Sequence, residues 1–186
     1  QGEIEKATKL LRDGLAAARA VGHPAEVAQA LHQLGVVAGL QGKTHQAEQY
    51  LQEALAIWQE AGNEPRLAAV WRSLAEVTDN PAEARRSYGK ALQLAVKHNL
   101  APVAFDVFAG VAPLLLSSGQ AQQAARLLTL AARHPAASQM TRLAARRQLA
   151  DLVAGHSGPA EDSVQIPDWH ELAEELLPEL ETVTQA

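Results

Sequence analysis

Three sets of residues in this 186-residue chain carry groups that could do chemistry: seven histidines, the run Gly39-Leu40-Gln41-Gly42-Lys43-Thr44, and the adjacent carboxylates Glu174 and Glu175. The run ends like a phosphate-binding loop. However, the position where the first glycine belongs is Val37, and a helical pattern precedes it where a strand is needed. Lys43 and Thr44 therefore read as a turn followed by a helix N-cap. No two histidines stand at His-Glu-x-x-His or any other metal-ligand spacing. His23, His98 and His134 fall at turns or helix ends, where they would cap carbonyls or meet the negative end of a helix. Glu174 and Glu175, being neighbours in sequence, diverge on a helix and form a solvated face rather than an acid/base pair. There is no cysteine, hence no thiol nucleophile and no disulfide. These residues point to no enzyme, no metal site and no cofactor.

The elements that would position any functional group are helices. Apolar residues make up 47% of the chain and charged residues 20%, with Ala, Leu, Gln and Glu prominent over β-branched and aromatic types. No apolar run approaches the roughly 18 residues of a membrane span, and the first residues, with Glu3, Glu5 and Lys6, are no signal peptide. A cytoplasmic location is expected, and the cysteine-free composition fits it.

Small residues recur: Ala7, Ala47, Ala84 and Ala124 stand 40, 37 and 40 residues apart. Each is followed four positions on by a large residue (Leu11, Leu51, Tyr88, Leu128) and three further by a small one (Gly14, Ala54, Ala91, Ala131). Four-then-three spacing is one face of a helix. The preceding halves align too, Leu31, Leu34, Gly35 and Ala38 with Trp71, Leu74, Ala75 and Thr78, then with Phe108, Val111, Ala112 and Leu115. Gly22-His23-Pro24, Gly42-Lys43-Thr44, Gly62-Asn63-Glu64-Pro65, Asp79-Asn80-Pro81, Ser117-Ser118-Gly119 and His134-Pro135 separate the helices. The spacing predicts helices over about 3–21, 25–41, 44–61, 65–78, 82–98, 101–117, 120–133 and 137–154. Connections this short make neighbours antiparallel.

Leu31-x-x-Leu34-Gly35-x-x-Ala38 followed by Ala47-x-x-x-Leu51-x-x-Ala54 resembles the tetratricopeptide (TPR) repeat, and the resemblance extends over residues 1–155. It implies an all-α fold, a right-handed α-solenoid of antiparallel helix pairs with about nine helices in all. The helices are longer than the usual 34-residue repeat allows, which resembles the long-helix arrays of bacterial signalling ATPases and transcription activators. Aligned this way, the first helix, carrying Ala7, Leu11 and Leu15, is the second helix of a unit, so the chain is expected to be part of a larger regulatory protein.

In such arrays partners bind the concave surface lined by the first helix of each pair. The resemblance supplies that face and the repeat spacing supplies its residues: a row of His32, Arg72, Ala109 and Arg147, flanked by Gln29, Ala69 and Asp106 and by Val36, Glu76 and Pro113. The candidate partner-binding set is thus Gln29, His32, Val36, Arg72, Glu76, Asp106 and Arg147. Arg72 and Arg147 could offer a carboxylate or phosphate a planar fork of donors. Alternatively they pair internally with Glu76 or Asp106, since residues four apart are neighbours on a helix. Trp58, Trp71 and Trp169, with Phe105 and Phe108, read as core packing rather than stacking platforms.

Residues 156–166 lack apolar periodicity and read as a loop. A last helix within 167–186 sets Trp169, Leu172, Ala173, Leu176, Leu177 and Leu180 on one face, with Asp168 as N-cap and Pro178 bending or ending it. It is expected to cap the end of the array. All 16 Lys and Arg lie in residues 1–147, while residues 148–186 hold nine acids and no base, so this helix is expected to fold back on the arginines before it. A net charge of −5 argues against direct nucleic-acid binding. The expected function is a non-catalytic module that binds a protein, a peptide or a small effector, away from membranes. The alternative is a self-assembly scaffold forming a homodimer.

Overall fold

The computed structural model describes residues 2–155 and 168–181, and all the regular structure among them is helical. The helices are α1 (Gly2–Val21), α2 (Pro24–Leu40), α3 (Thr44–Glu60), α4 (Glu64–Val77), α5 (Pro81–Lys97), α6 (Ala101–Ser117), α7 (Ala121–Arg133), α8 (Gln139–Gly155) and α9 (Trp169–Glu181). This is an all-α fold of the α-solenoid class, built from helix pairs. The expected loop at 156–166 lies outside the described residues.

Local chemistry places the breaks. The turn after α2 closes on Gly42 at φ +69°, a left-handed conformation that costs a glycine little. After α5 the same role falls to Asn99 at φ +52°, the side-chain type that best tolerates it. Asn63, Asn80, Ser138 and Asp168 begin helices by accepting from the backbone N–H groups of Arg66, Ala82, Thr141 and His170, at 3.0–3.2 Å. Thr44 is not an N-cap: α3 begins at that residue, and Lys43 precedes it without a side-chain cap. His134 stands at the C-cap of α7, the helix end the sequence assigns it, without its imidazole capping a carbonyl. Its Nδ1 accepts from the Ala136 N–H at 3.1 Å, and its ring lies 4.5 Å from that of Phe105.

The chain divides into two compact units, with the boundary inside α5 after Ser87. In the first, α2 packs against α1, α3 and α4. The repeated small residues explain how closely. A Cβ added to Gly35 would stand 2.6 Å from Leu51 Cγ and 3.2 Å from the Ala47 carbonyl oxygen, and one added to Gly39 would stand 2.6 Å from Val77 Cγ1. Leu51 is fully buried, so its side chain has nowhere to retreat. Gly35→Ala should therefore destabilise the first unit by about 1–2 kcal/mol, overpacking outweighing the better helix propensity of alanine. A lower urea midpoint with unchanged slope would register this.

In the second unit α7 packs on α6 and α8, and α6 also meets α8 and α9. Phe105, Phe108, Leu127, Leu128 and Leu130 form its core. The last helix lies along α5, α6 and α7: Leu180 meets Gly89, Trp169 packs 6.4 Å from Phe105, and Glu175 pairs with Arg126 at 3.1 Å. The sequence suggests docking on the preceding arginines, yet of these α9 engages Arg126, while Arg142 donates to the carbonyls of Pro135 and Ala137. Glutamines supply further polar contacts. Gln120 and Gln123 each donate to one carboxylate oxygen of Glu179 at 3.0 Å, and Gln93 donates to Glu181. Pro178 does not end the helix, which continues to Glu181.

Candidate functional site

In the first unit a polar chain links α2 to α4. One terminal nitrogen of Arg72 donates to Glu76 at 2.6 Å and the other to Ser73 Oγ at 3.3 Å. His32 Nε2 lies 3.0 Å from the same hydroxyl, across 41 residues of sequence. With Arg72 donating to the serine oxygen, the serine hydroxyl can donate to an unprotonated Nε2. Burial first, then the guanidinium charges of Arg72 and Arg66, lower the His32 pKa from 6.5 to about 4. His32 is therefore neutral at pH 7, and Arg72 is engaged internally, as is Glu76.

On the other side of α2 the surface is open. Ala7, Leu10 and Leu11 of α1 face Gln29, His32, Gln33, Val36 and Val37 of α2 across a groove of about 490 Å³. Its walls are mainly apolar, and Leu10 is 71% exposed. Gln29 Oε1 is buried and has no hydrogen-bond partner. A second groove of about 390 Å³ shares Leu10, Leu11, Gln29 and Gln33 and reaches Trp58 and Arg66. Trp58 is core-facing as expected, 5% exposed with its Nε1 unpartnered, and Arg66 lies 5.9 Å from its ring centroid. Trp71 is half-buried.

The seven candidates thus fall into separate environments. Gln29, His32 and Val36 share the α1–α2 groove, and Arg72 and Glu76 pair on α4. Asp106 and Arg147 belong to the second unit. Asp106 accepts from the buried hydroxyl of Thr141, which is itself 2.6 Å from Ser138 Oγ, and so ties α6 to α8. Arg147 is exposed on α8. Among the described residues no group of three His, Asp or Glu could hold a metal, and no helix is long and apolar enough to cross a membrane.

Residues 26–97, from α2 through α5, match the tetratricopeptide repeat family. Those residues carry TPR repeats. No curated protein matches it. Repeats of this family are generally non-catalytic units that bind proteins or peptides.

Within the TPR frame, sequence reasoning missed Ser73, which is 1% exposed and joins Arg72 to His32. It also missed Leu10 and Gln33, which line the groove. The repeat offset of 40 residues could have found the serine, because it places Ser73 opposite Gln33, next to the row already chosen.

Proposed function

We propose that this chain is a partner-binding TPR module that engages a protein or peptide through the α1–α2 groove. The observation that carries this reading is the contrast between that groove and the rest of the candidate face. Leu10, Gln29, Val36 and Val37 present an open apolar surface with a buried, unsatisfied acceptor, whereas Arg72, Glu76 and Asp106 are already paired. Buried polar atoms are normally satisfied, and an exposed large apolar side chain in a concave site favours contact with a partner. A role as the sensing part of a larger bacterial regulatory protein in the cytoplasm accords with this reading, the partner or a small effector setting the state of a linked domain.

The test is selection of peptides from an unbiased displayed library on the intact chain, followed by re-measurement on Val36→Glu. A carboxylate in the groove should weaken the selected peptides by about tenfold or more. Undiminished binding to a variant of unchanged helical circular dichroism would place the partner elsewhere. The homodimer reading is favoured instead if light scattering shows a concentration-dependent mass that Val36→Glu abolishes. The exposed Leu10, together with Met140 at 76% and Leu143 at 53% exposure, makes that measurement necessary.

A further inference from the structure

Pro113 lies inside α6, and the helix runs past it to Ser117. A proline has no N–H, and its ring crowds the carbonyl four residues back. The Ala109 carbonyl therefore lacks its helical donor, in a residue that is only 7% exposed. A buried acceptor in that state costs free energy unless another donor reaches it. Here one does. Gln148 Nε2, on α8, donates to the Ala109 oxygen at 3.2 Å, across 39 residues of sequence. The amide has no second way to lie. Its Oε1 is buried without a hydrogen-bond partner, and turning the group over would set that oxygen against the carbonyl oxygen. The first unit supplies the contrast. Val36 on α2 and Glu76 on α4, which share the row of Pro113, keep their N–H groups, and there the two helices are joined through side chains, His32 to Ser73.

We infer that Pro113 and Gln148 form one conformational device: the proline opens a hydrogen-bonding position on the backbone of α6, and the glutamine fills it from α8, clipping the two helices together. The clip also fixes where α8 lies along α6. A side-chain pair such as Thr141 with Asp106 can follow a sliding helix by changing rotamers, whereas a backbone carbonyl cannot move along its own helix. The other proline of α6, Pro102, stands in its first turn, where it takes away no helical bond. The clip matters because α8 has little else to hold it. Of its described side chains only Thr141, Ala145 and Leu149 are buried, while Met140 and Leu143 are exposed. One hydrogen bond to a buried carbonyl is therefore a large share of what docks this helix.

A double-mutant cycle on the full chain, read by amide hydrogen exchange over residues 139–152, tests this. Gln148→Met keeps the reach of the side chain and removes its donor. In the natural chain it should speed exchange in α8 by about tenfold, leaving residues 24–60 unchanged. Pro113→Ala gives α6 its N–H back and satisfies the Ala109 carbonyl from within the helix. In that background Gln148→Met should speed exchange by less than about twofold, so the two substitutions fail to add. Ordinary packing by Gln148 would give the same acceleration in both backgrounds, and that result overturns the clip. An unchanged rate in both overturns it as well. If Gln148→Met alone does not fold, recovery of the native helical circular dichroism on adding Pro113→Ala is the same rescue, and a double variant that stays unfolded overturns the proposal.

Discussion

Lowering the pH from 6.5 to 4 should remove about 3 kcal/mol of stability from the first unit through His32 alone. The side chain lies against Ser73 Oγ at 3.0 Å, with the Arg72 guanidinium on the far side of that hydroxyl. Burial and the two nearby arginines keep the imidazole neutral down to about pH 4 in the folded chain, whereas the unfolded chain takes up the proton near 6.5. Between those values the unfolded state binds more protons, so stability rises with pH through this window and is level above it. Urea unfolding at half-unit steps from pH 7 to pH 4, for the natural chain and His32→Gln, isolates the effect. Glutamine can still hydrogen-bond Ser73 but does not titrate. Between pH 6.5 and pH 4 the natural chain should lose about 3 kcal/mol relative to His32→Gln, and curves that stay parallel would show that His32 is not the group responsible.

Trp169→Ala should loosen α9 by about 3 kcal/mol or more, the cost of removing a buried indole whose cavity cannot collapse fully. Trp169 is 6% exposed and packs between Phe105 and the ring of His170, whose centroid is 3.7 Å away. It also fixes the start of the helix. Asp168 accepts from the His170 backbone N–H and lies 3.0 Å from its Nδ1, contacts that hold the carboxyl below its usual range. Once the indole is gone the helix rests on Leu172, Leu176 and Leu180 and on polar contacts of which Arg126–Glu175 is largely exposed and worth little. Amide hydrogen exchange over residues 169–181 should then accelerate by about two orders of magnitude. Exchange at the natural rate would mean that Leu172, Leu176 and Leu180 hold the helix without the indole.

The helices were legible because the signals for them are local. A glycine or asparagine that tolerates positive φ, a side chain that accepts an orphan N–H, and a four-then-three spacing of small and large residues are each complete within one or two turns of chain. Where the reading slipped, as at Thr44, the helix boundary was right and only the hydrogen bond was misassigned. The repeat of Ala7, Leu11 and Gly14 at Ala47, Leu51 and Ala54 was likewise visible, since shape complementarity between adjacent helices restricts those positions to particular sizes.

The candidate site was legible only as a row of positions. Gln29, His32, Val36, Arg72 and Glu76 follow from the helical period and the family face, but the same residue types suit both a ligand contact and an internal pair. The 2.6 Å contact of Arg72 with Glu76, the reach of His32 to Ser73 and that of Asp106 to Thr141 separate the two uses. Two of these bonds join residues 41 and 35 apart, so they depend on how one helix pair stacks upon the next.

The path of α9 is a further decision of packing. Its apolar stripe and acidic face were plain, yet its strip of contacts on α5, α6 and α7 required the small surface at Gly89 and the carboxylate-binding glutamines to be brought together. By itself the sequence determined the class of fold, the helices and the residue sizes at the repeat contacts, because short-range sterics and hydrogen bonding dictate these. Tertiary structure alone decided which of the candidate residues are tied internally, as His32 is to Ser73 and Asp106 to Thr141, because those bonds depend on how neighbouring helices stack.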